Sequence, residues 1–186
     1  FSGKTFIFEL VFIFRLFYSL DVMKKVYIGI DNGTSGSIGI LEEGELPFFF
    51  QTPTVFVQDY TKAKKNVSRL DAPTLRDLLL NYKREDCRVF CLIERPMVNP
   101  QRFTASCTAL RCHEATLCVI ETLGFAYEFV DSKEWQKALL PQGTTGDDLK
   151  KMSLQVGNRL FPEWKGEGHP DRDGLLIAEH ARRKNY

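Results

Sequence analysis

The chain has almost no net charge. Against 25 Lys and Arg stand 24 Asp and Glu, a formal +1. No global basic field surrounds it, so a nucleic-acid partner would have to be met by a local patch. The five cysteines, Cys87, Cys91, Cys107, Cys112 and Cys118, include no CxxC pair and no Cys/His zinc spacing. An odd number of thiols in apolar segments reads as reduced, buried thiols of a cytoplasmic protein. No uninterrupted apolar run approaches the ~20 residues that span a bilayer. Residues 1–20 are rich in Phe and aliphatics, but Glu9 and Arg15 interrupt them. No small-residue cleavage site follows, so a secretory signal fits poorly. Internal repeats and low-complexity tracts are missing too.

What is present fits one domain, since 186 residues can bury a real core. Residues 1–22 do not match the rest, and Met23 is followed at once by a lysine pair and a strand pattern. They are expected to be a non-native or disordered leader, with the domain over 23–186. Strands are expected at 26–31, 37–41 and 46–51, joined by the turns 32–36 and 42–45, as an antiparallel meander. Residues 58–70 are polar and basic and read as a loop. Asp71 is placed to N-cap a helix with Pro73 in its first turn and Leu75, Leu78 and Leu79 as its apolar stripe. A buried strand over 88–93 ends at Glu94. A long helix over 104–123 is closed by Gly124, and a strand follows at 126–130. Further helices are expected at 133–140, 149–161 and 171–183. A meander followed by alternating elements suggests an α/β fold. Its mixed five-stranded sheet would hold the three-strand meander plus two parallel strands, with helices on both faces. The first and fourth strands would lie side by side in the middle.

Four carboxylates stand at the tips of hydrophobic elements. Asp31 ends the first strand, Glu94 ends the fourth, and Asp171 and Asp173 open the last helix. Each has an ordinary explanation as a turn residue, a solvated strand end or an N-cap. Together they suggest something else. If the strands are neighbours, Asp31 and Glu94 meet at one edge and the helix brings a third acid to them. Like charges held that close call for a cation. Mg²⁺ takes carboxylate, water and phosphate oxygens, and two such ions can activate a water against a phosphodiester.

The stretch Tyr27-Ile-Gly-Ile-Asp31-Asn-Gly33-Thr-Ser-Gly36 resembles the first strand and turn of RuvC-like Holliday junction resolvases. Leu92-Ile-Glu94-Arg-Pro96 looks like their acidic strand end. Trp135-Gln-Lys137 with Leu140-Pro141, and Gly146-Asp-Asp-Leu-Lys150 running on to Leu160-Phe161-Pro162, resemble segments of phage and bacterial relatives. Asp171-Arg-Asp173-Gly-Leu-Leu-Ile-Ala-Glu179 looks like the final metal-binding helix. The likeness runs from about residue 24 to 183. It implies a ribonuclease-H-like fold and a homodimer in a bacterial or phage-infected cytoplasm. It further implies paired nicking of four-way DNA junctions with Mg²⁺ or Mn²⁺, two ions per site. Asp31, Glu94 and Asp173 carry over as metal ligands.

The family places an acid or histidine three residues before the final Asp. Here that position is Pro170, and Asp171 or His169 beside it would have to substitute. Lys150 aligns with a lysine that could hold the scissile phosphate. Arg102, Arg111 and Lys151 could contact phosphates, as could the basic residues of 62–69. Phe103 could stack on an opened base, though core packing is its ordinary role. The helix over 104–123 could form the dimer interface, because its apolar and cysteine positions suit burial on two sides. His113 reads as an ordinary helix histidine and Trp135 as packing. Gly174, where the family often has Ala, would cost helix stability without touching the chemistry.

Other readings remain. The turn from Asp31 to Gly36 also looks like the phosphate-binding hairpin of sugar kinases and actin-like ATPases, although no second hairpin or Gly-rich adenosine site is found. A non-catalytic protein that binds branched DNA, or a nuclease acting on other substrates, is compatible as well.

Overall fold

The computed structural model describes residues 23–59, 62 and 64–186. The expected leader at 1–22 lies outside the described residues. In chain order, β1 (Lys24–Ile30), β2 (Ser37–Glu42) and β3 (Phe48–Gln51) form the meander. A separate hairpin of β4 (Thr54–Gln58) and β5 (Asn66–Leu70) follows, then α1 (Ala72–Leu80) and β6 (Cys87–Glu94). The remaining elements are α2 (Phe103–Leu123), β7 (Ala126–Val130), α3 (Ser132–Leu139), α4 (Asp148–Leu160) and α5 (Asp173–Lys184).

The sheet order is β3-β2-β1-β6-β7. The meander strands pair antiparallel, while β6 joins β1 and β7 joins β6 in parallel. This is the mixed five-stranded α/β sheet that the sequence suggests. Alternation along β1 explains its two faces. Val26, Ile28 and Ile30 point to a core shared with α1 and α2, while Tyr27 points to a second core shared with α3, α4 and α5. The register pairs Ile30 with Ile93, so Asp31 and Glu94 are the next positions on adjacent strands.

Glycine lets α5 lie directly on the sheet. A Cβ on Gly29 would stand 2.1 Å from the Ala178 nitrogen, and one on Gly174 would stand 2.7 Å from the Ser37 oxygen. The expectation that Gly174 only weakens the helix is therefore corrected: it permits the close approach of α5 to β2 that seats Asp173 at the sheet.

Three further expectations are corrected. The second half of the expected 58–70 loop is strand β5, paired with β4, which no clear sequence signal marks. Helix α5 begins at Asp173, so Asp171 lies two residues ahead of it. Not every thiol is buried: Cys87, Cys91 and Cys112 are, Cys107 is partly exposed and Cys118 is exposed. The caps follow expectation. Asp71 accepts the Thr74 N–H at 3.3 Å, and Gly124 closes α2 in the left-handed region at φ 73°. Among the described residues no helix is long and apolar enough to cross a membrane.

Candidate metal centre

The site is built where β1 and β6 end and α5 begins. Asp31 follows β1 into a turn whose backbone folds back on it: the Asp31 N–H donates to the Ser37 oxygen at 2.9 Å. Helix α2 braces the same turn, with Asn32 Nδ2 donating to the Ala109 oxygen at 3.3 Å. Glu94 ends β6 and accepts a 2.7 Å hydrogen bond from the indole N–H of Trp135. Trp135 is fully buried, so its one polar atom needs a partner, and Glu94 supplies it. Asp173, the first residue of α5, accepts from the hydroxyl of buried Ser153 on α4.

Asp171 lies on the loop before α5 and is almost wholly buried. Its Oδ1 accepts the Asp173 N–H at 3.3 Å and lies 3.2 Å from His169 Nδ1. Its Oδ2 is 3.8 Å from Lys150 Nζ, on an otherwise exposed side chain. Arg172 fastens this loop. It is fully buried with no carboxylate partner among the described residues. Its guanidinium instead donates to the carbonyls of Trp164, Glu167, His169 and Asp171 at 2.7–3.1 Å. It also stacks 5.1 Å over the Phe49 ring, whose edge contacts with His169 hold that imidazole in place.

One ligand oxygen each from Asp31, Asp171 and Asp173 falls within 4.8 Å of the others. Burial, then the Glu94 and Asp171 charges, pushes Asp31 up to about 7. Glu94 rises to about 7 through burial, against the Trp135 hydrogen bond, with the Asp173 and Asp171 charges adding to the rise. Asp173 reaches about 7 for the same reasons, from burial and the Asp171 and Asp31 charges. A bound cation would relieve this desolvation and repulsion. The donors are carboxylate oxygens, which suits a hard divalent ion such as Mg²⁺ or Mn²⁺.

Asp31, Asp171 and Asp173 thus come together as one ligand group, Glu94 lies close enough for its charge to bear on Asp31, and Lys150 sits at the rim. His169 is a neighbour of Asp171, and its Nδ1 is turned toward it. Arg102, Phe103, Arg111 and Lys151 are all exposed, the first three at or near the N-terminal half of α2. Phe103 is 74% exposed, which corrects the core-packing expectation. Helix α2 buries Ser106, Cys112, Thr116, Val119, Ile120 and Leu123 on one side only. Its opposite face is open, carrying Phe103, Leu110 and Cys118. His113 packs against the Phe129 ring at 5.3 Å, as an ordinary histidine does.

Sequence reasoning missed Trp135 as a donor, Ser153 and Arg172. A buried tryptophan in a short polar helix is a signal that an acceptor lies nearby. Neither a serine inside α4 nor an arginine between two aspartates carries any such signal.

No protein-family model matches the sequence, and no curated protein matches it. Among the solved structures that match is one that shares the architecture. Thermus thermophilus RuvC in complex with a Holliday junction substrate superposes with a TM-score of 0.53 at 10% identity, covering 86% of this chain and 94% of that one. A second Thermus thermophilus RuvC structure gives 0.47 at 15% identity, covering 86% and 96%. The fold of this chain is that of the junction-bound RuvC structure.

Proposed function

We propose that the protein is a divalent-metal-dependent endonuclease that resolves four-way DNA junctions. The convergence of Asp31, Asp171 and Asp173, with Glu94 beside them, where β1 and β6 end and α5 begins carries this reading, on a fold shared with junction resolvases. It favours a nuclease over an ATP-binding hairpin. A phosphate-binding turn works through backbone amides and has no need of a buried carboxylate cluster.

In this mechanism Asp31, Asp171 and Asp173, with Glu94, would hold two Mg²⁺ or Mn²⁺ ions, which would supply water activation and charge neutralisation at the leaving 3′ oxygen. Trp135 fixes Glu94 by one oxygen, and Ser153 fixes Asp173. His169 and the Arg172-clamped loop hold Asp171, which takes the place Pro170 cannot fill. Lys150, at the rim, meets the scissile phosphate. Arg102, Arg111 and Lys151 contact phosphates of the arms, and exposed Phe103 stacks on an opened base. The open face of α2 beyond Phe103, with Leu110 and Cys118, joins two copies in a symmetric homodimer that nicks opposing strands. Products carry a 5′-phosphate and a 3′-hydroxyl.

The test is Asp31→Asn. It removes a ligand charge and leaves the surface intact, so junction cleavage in Mg²⁺ is lost while junction binding is kept. Unchanged cleavage by this variant refutes the site.

A further inference from the structure

The carboxylate cleft cannot by itself attract a phosphate strand, so the pull on DNA must come from the surface around it. Among the described residues, the β4–β5 hairpin offers a local group of cations outside ion pairs. Residues 54–70 hold Lys62, Lys64, Lys65 and Arg69 against Asp59, a net of 4 − 1 = +3 in a chain whose formal total is +1. All four cations are exposed, and none makes an ion pair among the described residues. Two apolar side chains accompany them: Val55 is 43% exposed and Phe56 77%. As neighbours on one strand they point to opposite faces, so each face has a solvated position, and the pair forms a sheet separate from the main one. Lys64 adds a separate observation. Its φ of 46° is in the left-handed region, where Gly or Asn is the easier choice.

The hairpin's base is firm and lies beside the site. Leu70 is buried in the core, and the Asp71 N–H closes onto the Pro53 oxygen at 2.9 Å. Ser68 and Arg69 line a crevice with Thr34, Thr108 and Arg111. Thr34 belongs to the turn that follows Asp31.

We infer that the β4–β5 hairpin is a DNA-backbone grip. Its lysines engage phosphates of a duplex arm leaving the cleft, and Phe56 lies against the sugar edge. This rests on the nuclease reading and adds to it a DNA-binding element outside the five-stranded sheet. Unpaired cations around an exposed aromatic fit a polyanion better than a second copy of a nearly neutral chain.

The test compares the full 186-residue protein with its K62Q/K64Q/K65Q variant. Binding to a labelled four-way junction and to linear duplex is followed by anisotropy in EDTA over a KCl series. With the three charges gone, both DNAs bind more weakly by a similar factor, at least about tenfold. The salt slope also becomes shallower by about 2–3, near 0.9 for each phosphate no longer neutralised. Single-turnover cleavage at saturating protein stays at the wild-type rate. Unchanged affinity and slope in the variant, with the wild type binding normally, overturns the grip alone. Unchanged DNA binding with a shift in oligomeric state assigns the hairpin to a second copy and overturns it too. Failure of the wild type to bind either DNA overturns the nuclease reading and the grip together.

Discussion

Replacing Asp31 by Asn should stabilise the metal-free protein near neutral pH, although it removes a central site residue. Folding raises the Asp31 pKa from 3.8 to about 7. Between those values the folded state holds a proton that the unfolded state has released, so this group's contribution to stability falls as pH rises from about 4 to 7. Each pH unit of that gap is worth about 1.4 kcal/mol, which sets a ceiling of about 4 kcal/mol. Burial is the larger cause, with repulsion from Glu94 and Asp171 added to it; the Asn amide still costs something to bury, so removing the charge should recover about 2 kcal/mol at pH 8. Little should be recovered at pH 4, where the carboxyl is neutral. Burial lowers the pKa of His113 and His180, so these work in the opposite direction below about pH 6.5. The difference between variant and wild type is therefore the quantity to measure, not the wild-type curve. Urea denaturation in EDTA between pH 4 and 8 supplies it. A variant less stable than wild type at pH 8, or a difference that does not grow with pH, refutes the picture of mutually repelling buried carboxylates. Adding Mg²⁺ should reverse the order, because the ion binds the folded wild type more tightly than the variant.

Trp135→Phe removes the indole donor to Glu94. Stability should drop by about 1–3 kcal/mol and Mg²⁺ affinity about tenfold or more; calorimetric titration giving wild-type affinity would leave Trp135 a packing residue only. Gly174→Ala should destabilise by about 1–3 kcal/mol despite the better helix propensity of alanine, because its Cβ would press on the Ser37 oxygen and the Gly39 nitrogen, at 2.7 and 2.8 Å. A rise in melting temperature would contradict the direct seating of α5 on β1 and β2.

Much of this architecture was legible because its signals are local. The apolar runs ending at Asp31 and Glu94, the Asp71 cap and the Gly124 stop each act within a few residues. Adjacent placement of β1 and β6 followed from the element order, a meander followed by alternating helices and strands. The hairpin was harder to see, because Lys64, Lys65 and Arg69 mask the modest alternation of Asn66–Leu70 and its partner strand is largely exposed. What supports the site was least visible. The Trp135–Glu94 bond spans 41 positions, and the Ser153–Asp173 bond spans 20. Arg172 acts through backbone carbonyls, which leave no mark on the residues that own them. Gly174 looked like a defect because its reason lies on another element, in β2.

Cleavage of a labelled synthetic four-way junction, in Mg²⁺ and in EDTA, beside linear duplex and an RNA–DNA hybrid, tests the nuclease assignment most directly. Symmetric nicks in opposing strands, confined to the junction and dependent on the metal, are the expected result. Tight junction binding with no cleavage of any substrate in Mg²⁺ or Mn²⁺ would contradict it and leave a branched-DNA-binding protein with an idle carboxylate cluster.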